Sequence, residues 1–238
     1  ISPFYNTIIS MGEFSVLIGG QAGDGIKQAG NAIARTFNRL GYWVFIYEDY
    51  PSLIRGGHNF AIVRASSERI ASHRERVNVL VALNQEAVDR HSWRLGKGSM
   101  TIFDSNSARA EGLGIPMGEI VRRKGLPSIV RNTIALGALG AVLGIDLDVV
   151  EDVIRATIGK RVVENLEVAR EGYEIARESP WGAHGNRIEK VPGGPRPLLT
   201  GNEALALGLA KGGMKIYAAY PMTPTSALLH YIAAHEDE

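Results

Sequence analysis

An apolar run that breaks into a glycine cluster and then into a helical repeat leaves a chain few ways to fold. Residues 14–19 read FSVLIG, and four glycines (Gly19, Gly20, Gly23 and Gly25) follow within the next few positions. A short run of this kind is the pattern of a buried strand. From Gly25 onward, Ile26, Ala29, Ile33, Phe37 and Leu40 recur at spacings of three and four, which lays one apolar face along a helix. Gly41 stands at the natural left-handed stop, and YWVFIY (42–47) reads as a second buried strand. Strand, glycine loop, helix and strand in this order form a parallel βαβ crossover, so the expected class is α/β, Rossmann-like, with a mostly parallel sheet.

The chain continues in the same style. HNFAIVRA (58–65), VNVLVAL (77–83) and SMTIFDS (99–105) are β-rich, and NQEAVDRHSWRL (84–95) is helical in pattern. The Gly- and Pro-marked stretch 112–127 holds a weak strand, GEIVRR. C-terminal helices then follow at 132–144, 148–158 and 162–177, the first rich in small residues that suit close packing. Composition breaks at 179–197, SPWGAHGNRIEKVPGGPRP, where proline and glycine stiffen the chain and interrupt helix or ladder bonds. Beyond it, TGNEALALGLAKGG reads as a helix and MKIYAAY as a strand. The expected organisation is a first domain at 12–178, a Pro/Gly linker at 179–197 and an incomplete second α/β unit at 198–238. About 40 residues cannot bury a core of their own.

Composition excludes several chemistries. There is no cysteine in 238 residues, so the chain offers no disulfide, no thiolate nucleophile and no cysteine-ligated cluster or zinc. That fits a reducing cytoplasm. A net charge of +1 argues against nucleic acid or an anionic membrane as a bulk partner. No apolar run approaches the roughly 20 residues needed to cross a bilayer. The opening ISPFYNTIIS lacks a basic n-region and a cleavage site, and Met11 after it is a candidate native start. His58, His73, His91, His184, His230 and His235 show no metal spacing and are expected at the surface or in caps. SERIASHRERV (67–77) is expected to be a solvated face.

The glycine loop suits an anion. Glycines between a strand's carboxyl end and a helix start aim bare N–H groups and the positive end of a dipole at one spot. The spacing at Gly20, Gly23 and Gly25 is G-x-x-G-x-G, not the G-x-G-x-x-G of a dinucleotide fingerprint, and Gly25-Ile26-Lys27-Gln28 is not a P-loop. Glu48 and Asp49 fall where a ribose-binding acid would. A tight turn without ligand stays open beside the phosphate reading. A second glycine pair, in Arg55-Gly56-Gly57-His58, places an arginine where it can meet a phosphate or carboxylate bidentately, or can simply be solvated beside a bulge. If the first two strands are neighbours, both loops share one carboxyl edge.

Taken together, GGQAGDGIKQAGNAIARTFNRLGYWVF, then YPSLIRGGHNFAIVR, then RNTIALGALGAVLG resemble the gamma subunit or domain of the 2-oxoacid:ferredoxin oxidoreductases, over about residues 14–177. That family carries a GGQG-like loop, a YxxExRGG-like segment and a late N-x-x-x-LG helix. Ala22 and Asp24 within the loop match the subgroup in which gamma is fused ahead of alpha. The stretch 201–233 resembles the start of the alpha subunit, a thiamine-pyrimidine-type domain, with its YPITP-type motif at Tyr220-Pro221-Met222-Thr223-Pro224-Thr225-Ser226.

The resemblance implies an enzyme subunit, not active alone, of a complex that decarboxylates a 2-oxoacid oxidatively to acyl-CoA and passes electrons to ferredoxin. It implies Thr223 near the 2-oxoacid and thiamine, with Tyr220 and Pro221 shaping that loop, and no catalytic residue in the gamma domain. Thiamine diphosphate and magnesium would be held mainly by a beta subunit, with iron–sulfur clusters in partner subunits. Coenzyme A as co-substrate is expected against Gly19, Gly20, Gln21, Gly23, Gly25, Arg55, Gly56, Gly57, Asn132 and Thr133. Partners would be the beta subunit and ferredoxin, in a hetero-oligomer or dimer of protomers. Two other readings remain beside it: a stand-alone nucleotide- or CoA-binding module using Gly20, Gly23, Gly25 and Glu48, and a structural gamma domain that binds nothing.

Overall fold

The computed structural model of the chain describes residues 12–50, 57–182 and 188–235. Two compact units divide it, Ile1–Arg196 and Pro197–Glu238. The first holds a six-stranded sheet of β1 (Glu13–Gln21), β2 (Trp43–Asp49), β3 (His58–Ser66), β4 (Val77–Ala82), β5 (Leu95–Asp104) and β6 (Leu113–Ile115). The strand order is β2-β3-β1-β4-β5-β6. β1, β4, β5 and β6 run parallel, and the antiparallel β3 joins β1 to β2. The sheet is thus mostly parallel, and β1 is buried on both faces from Phe14 to Gly20, as an internal strand of an α/β sheet should be.

Helix α1 (Ile26–Arg39) buries Ile26, Ala29, Ile33 and Phe37, the predicted stripe, against β2 and β3. Phe37 is fully buried, a burial that stabilises by about 2–3 kcal/mol. Gly30 allows close approach: a Cβ there would press on Ala61. The helix stops at Gly41 in a Schellman motif, with Gly41 N–H donating to the Asn38 carbonyl and Tyr42 N–H to that of Phe37. Gly41 takes φ 89, which only glycine adopts cheaply.

The β1–α1–β2 crossover exists, but β1 and β2 do not touch. The antiparallel β3 lies between them, so the expected neighbourhood of the first two strands is corrected. The two glycine loops still meet, because an antiparallel β3 begins where β1 ends: Gln21 pairs with His58, and Ala22 N–H donates to the Gly57 carbonyl at 3.0 Å.

Helices α1, α4 (Arg131–Val142), α5 (Leu147–Thr157) and α6 (Val162–Glu178) pack on one another. α4 is buried along nearly its whole length, and its small residues set the spacing: a Cβ on Gly137 would run into the Ala169 carbonyl, and one on Gly172 into that of Ile134. α2 (Gln85–His91), capped by Asn84, contacts β1, β3 and β4; its Ala87 and Val88 join a core with Leu17, Ile62, Leu80 and Phe103. The segment GEIVRR is not a strand. It lies in α3 (Met117–Arg123), whose Met117, Ile120 and Val121 are buried at helical spacing, a period that outweighs the β-propensity of two residues.

The described part of the Pro- and Gly-rich stretch packs on the first unit. Val191 N–H donates to the Leu40 carbonyl at 2.7 Å, Tyr42 hydroxyl to that of Glu189, and Arg196 to that of Gly41 while stacking over Trp43. Among the described residues the second unit has two helices, α7 (Gly201–Lys211) and α8 (Ser226–Ala234). α7 opens on a capping box between Thr200 and Glu203. The predicted strand MKIYAAY is absent: residues 214–220 join no ladder among the described residues, because a strand forms only with a partner strand.

Candidate functional site

The glycine loop rests on a partly buried ionic brace. Asp24 turns back to accept the Gln21 N–H at 2.8 Å, and its other oxygen pairs with Arg131 at 2.8 Å. Arg131 also pairs with Asp104 at 3.1 Å. Asp104 is fully buried and further accepts from Asn106 N–H, Gly118 N–H and the Ser107 hydroxyl. Arg131 therefore ties the loop after β1 to the end of β5 and to the start of α4.

Next to it, Asn132 donates to the carbonyls of Asp24 (2.8 Å) and Gly25 (3.2 Å). Gly25 takes φ 72 and is the N-cap of α1, which has no side-chain cap and no acid in its first turn. The amides of Ile26, Lys27 and Gln28 thus have no intrahelical carbonyl and, among the described residues, no side-chain cap. Gln21, Ala22 and Gly23 are exposed.

A cleft of about 470 Å³ adjoins this helix start. Ala29, Ala32, Ile129 and Leu136 form apolar walls, with Asn132, Thr133 and Asn165 between them and Lys160 and Arg161 also lining the cleft. Thr133 donates to Asn165 at 2.6 Å. Asn132 Oδ1 is buried with no hydrogen-bond partner. Arg161, the N-cap of α6, stands at φ 53, a left-handed conformation costing about 1–2 kcal/mol away from glycine.

Of the expected ligand residues, Gly19, Gly20, Gln21, Gly23, Gly25, Gly57, Asn132 and Thr133 gather at one carboxyl edge of the sheet. Arg55 and Gly56 lie outside the described residues. Lys160, Arg161, Asn165 and Arg131 also belong here and carry no local sequence signal of that role, because they converge from separate parts of the chain; Asp24, noted in the loop motif, joins them through Arg131. Glu48 stands apart. It pairs with Ala61 on β3, which in turn pairs with Ile18, so Glu48 is two strands from β1, about 10 Å away instead of 5. A ribose acid beside a Rossmann loop needs the neighbouring strand.

The histidine expectation is corrected at two positions. His58 and His91 are buried, Nε2 to Nε2 at 2.7 Å, because the antiparallel β3 carries His58 beneath α2. Burial lowers both pKa values below the ordinary imidazole range, that of His91 to about 3, with the neighbouring His58 and arginines adding to the shift. His73 stacks on Tyr47, and His184 lies outside the described residues. Residues 67–76 are largely exposed, as expected.

In the second unit, Tyr220, Pro221 and Thr223 are exposed. A local turn holds the motif: the Thr225 hydroxyl donates to the Met222 carbonyl, and Asn202 of α7 to that of Pro224. Among the described residues no group of three or more His, Asp or Glu is placed to hold a metal ion, and no helix is long and apolar enough to cross a membrane.

An α/β unit with an uncapped helix start and a glycine loop at the carboxyl edge of a mostly parallel sheet has the architecture of the doubly wound type. The sequence profile of pyruvate ferredoxin/flavodoxin oxidoreductase matches residues 15–175, and the chain belongs to that family. It is 26% identical to 2-oxoacid:ferredoxin oxidoreductase 2, subunit alpha, of Aeropyrum pernix over 94% of this chain and 43% of that one. It is 32% identical to 2-oxoglutarate synthase subunit KorC of Archaeoglobus fulgidus over 69% of this chain and 89% of that one. Among solved structures it is similar to the 2-oxoglutarate:ferredoxin oxidoreductase from Magnetococcus marinus with 2-oxoglutarate, coenzyme A and succinyl-CoA bound, at TM-score 0.81 and 26% identity over 96% of this chain and 42% of that one. The chain spans less than half the length of the alpha-subunit relative it matches.

Proposed function

We propose that this chain supplies the gamma domain and the opening of the alpha subunit in a thiamine diphosphate-dependent 2-oxoacid:ferredoxin oxidoreductase, which converts a 2-oxoacid and coenzyme A to acyl-CoA and carbon dioxide and passes electrons to ferredoxin. One observation carries this reading. The Aeropyrum alpha subunit matches across both units of the chain, whereas KorC matches over about the length of the first unit alone. A gamma unit fused ahead of alpha accounts for both.

The cofactors belong largely to partners. A chain without cysteine offers iron–sulfur clusters no thiolate ligands. Its described residues likewise offer no metal-holding group. Thiamine diphosphate supplies the electron sink for decarboxylation when bound in the complex. This chain would contribute Thr223, at the 2-oxoacid, with Tyr220 and Pro221 shaping its loop. The beta subunit would hold the diphosphate and magnesium.

The first unit would bind coenzyme A. The helix start of α1, without a side-chain cap, fits a phosphate, and the apolar cleft with Asn132 and Thr133 fits a slender, amide-bearing arm whose N–H could satisfy Asn132 Oδ1. Arg161 in its left-handed conformation is the kind of local strain that accompanies ligand sites. The assembled enzyme tests this. Arg55→Ala and Asn132→Ala should raise the KM for coenzyme A about tenfold, with the KM for the 2-oxoacid unchanged. An unchanged coenzyme A KM in both variants would leave the first unit a structural cover. Affinity capture of the chain from its source cell should also recover a thiamine-binding beta subunit, and a chain recovered alone would defeat the assembly reading.

A further inference from the structure

We propose that His58, His91 and Arg94 form a second, separate anion site, taking an oxyanion of the phosphate or carboxylate type in the cleft of about 360 Å³ beneath α2. This cleft lies across the sheet from the coenzyme A cleft. A Cβ on Gly19 would touch His58 and Ala87, whereas one on the next residue, Gly20, would touch Ile26 and Leu83, so the two glycines face opposite sides.

The hydrogen-bond pattern decides where the protons sit. Arginine Nε always donates, and Arg94 Nε lies 3.3 Å from His91 Nδ1, so that ring nitrogen is the acceptor. With burial keeping the ring neutral, the His91 proton is on Nε2, which faces His58 Nε2 at 2.7 Å. His58 Nε2 must therefore accept, and the proton of the His58 ring is on Nδ1. That Nδ1–H is buried and has no partner among the described residues. Buried donors are nearly always satisfied, and His58 is 7% exposed and lines the cleft. The chain of rings thus ends in a donor waiting for an acceptor.

Charge selects the acceptor. Arg94 bonds only His91 and the Glu75 carbonyl and stacks over Phe60 and Trp93, so among the described residues no carboxylate balances it. Arg90 is neutralised by Glu86 at 2.7 Å. Asp49, the carboxylate lining the cleft, accepts from the Tyr47 hydroxyl. Among the described residues lining the cleft, a cation would find only the Asp49 carboxylate on its side and would meet an N–H donor and an unpaired guanidinium; an oxyanion finds those two as complements and is opposed by Asp49 alone. Binding would polarise the hydrogen-bond chain from Arg94 through both neutral rings, and the His58 N–H would meet an ionised acceptor, a charge-assisted bond stronger than a neutral one.

Nitrogen-15 NMR of the histidine rings in the full chain reads this directly. In the free protein at neutral pH, His58 should carry its proton on Nδ1 and His91 on Nε2; the opposite tautomers would overturn the proposal without any variant. Inorganic phosphate and acetate are then titrated separately at constant ionic strength. At least one should move the His58 resonances saturably, and the one that does identifies the source as phosphate- or carboxylate-bearing. Arg94→Gln should weaken that response about tenfold or more, and Arg94→Lys should weaken it less. No saturable shift with either anion, or an undiminished shift in Arg94→Gln, would overturn the site. Coenzyme A added to the same sample should leave the His58 shift unchanged if the two clefts are independent, and competition between them would overturn the claim that this site is separate.

Discussion

Arg131 shows how much can hang on one side chain that no motif marks. Its two ends bridge Asp24 and the fully buried Asp104, so removing it leaves two carboxylates without the cation they share, one of them in the interior. Arg131→Met should cost about 3 kcal/mol, read from the shift of the urea unfolding midpoint. Adding Asp104→Asn should recover part of that loss, because the fully buried member of the pair is then neutral and only the partly buried Asp24 stays charged. The buried histidine pair carries its own signature. The folded pKa of His91, about 3, lies below the ordinary imidazole value, so between pH 6.5 and 3 the unfolded chain binds a proton that the fold refuses. Stability that is full above pH 6.5 should fall as pH drops through that window, because burial, then His58, Arg94 and Arg90, oppose a charge on His91; the carboxylates Glu86 and Asp49 act on His58 and only partly offset its own burial. His91→Gln should flatten the slope of unfolding free energy against pH between 6 and 4. Parallel slopes in the two proteins would assign the loss to other groups. Neither the brace nor the pair could be read in sequence, since Asp24 and Arg131 are 107 positions apart and His58 and His91 are 33.

The secondary elements were far more legible, because burial on one face writes its period into the local sequence. Phe14 to Gly19, the stripe from Ile26 to Leu40 and the stop at Gly41 all stand where the pattern put them. The exceptions have physical causes. GEIVRR carries both a β-rich pair and a helical spacing, and contact with α4 rewards the helix. MKIYAAY has strand composition and no strand to pair with. The α4–α6 contact supplies a test of the packing. A methyl group on Gly137 would meet the Ala169 carbonyl and one on Gly172 that of Ile134. Gly137→Ala should therefore destabilise by about 2–3 kcal/mol although alanine is the better helix former, and calorimetry would show the melting temperature falling where propensity alone predicts a rise. The double variant with Gly172→Ala should be no gentler.

The two units differ in what holds them. The first buries a sheet under helices on both faces, whereas in the second Leu205, Ile216, Tyr220 and Met222 remain exposed. Hydrogen exchange should therefore be slow across β1, β4 and α4 and fast through 200–235, within the same sample. Protection in the second unit equal to that of β1 would contradict this division.

Sequence by itself determined the class, the order of most elements and the family, because apolar period, turn glycines and a combination of loop motifs are local properties of the chain. The gathering of Gly20, Gly25, Asn132 and Thr133 was also anticipated, through the family pattern. Tertiary structure alone decided that β3 enters the sheet antiparallel between β1 and β2. That single insertion moved Glu48 away from the glycine loop, carried His58 under α2 and opened a second cleft there. Strand order depends on which edges pair across long stretches of chain, and no local spacing encodes that choice.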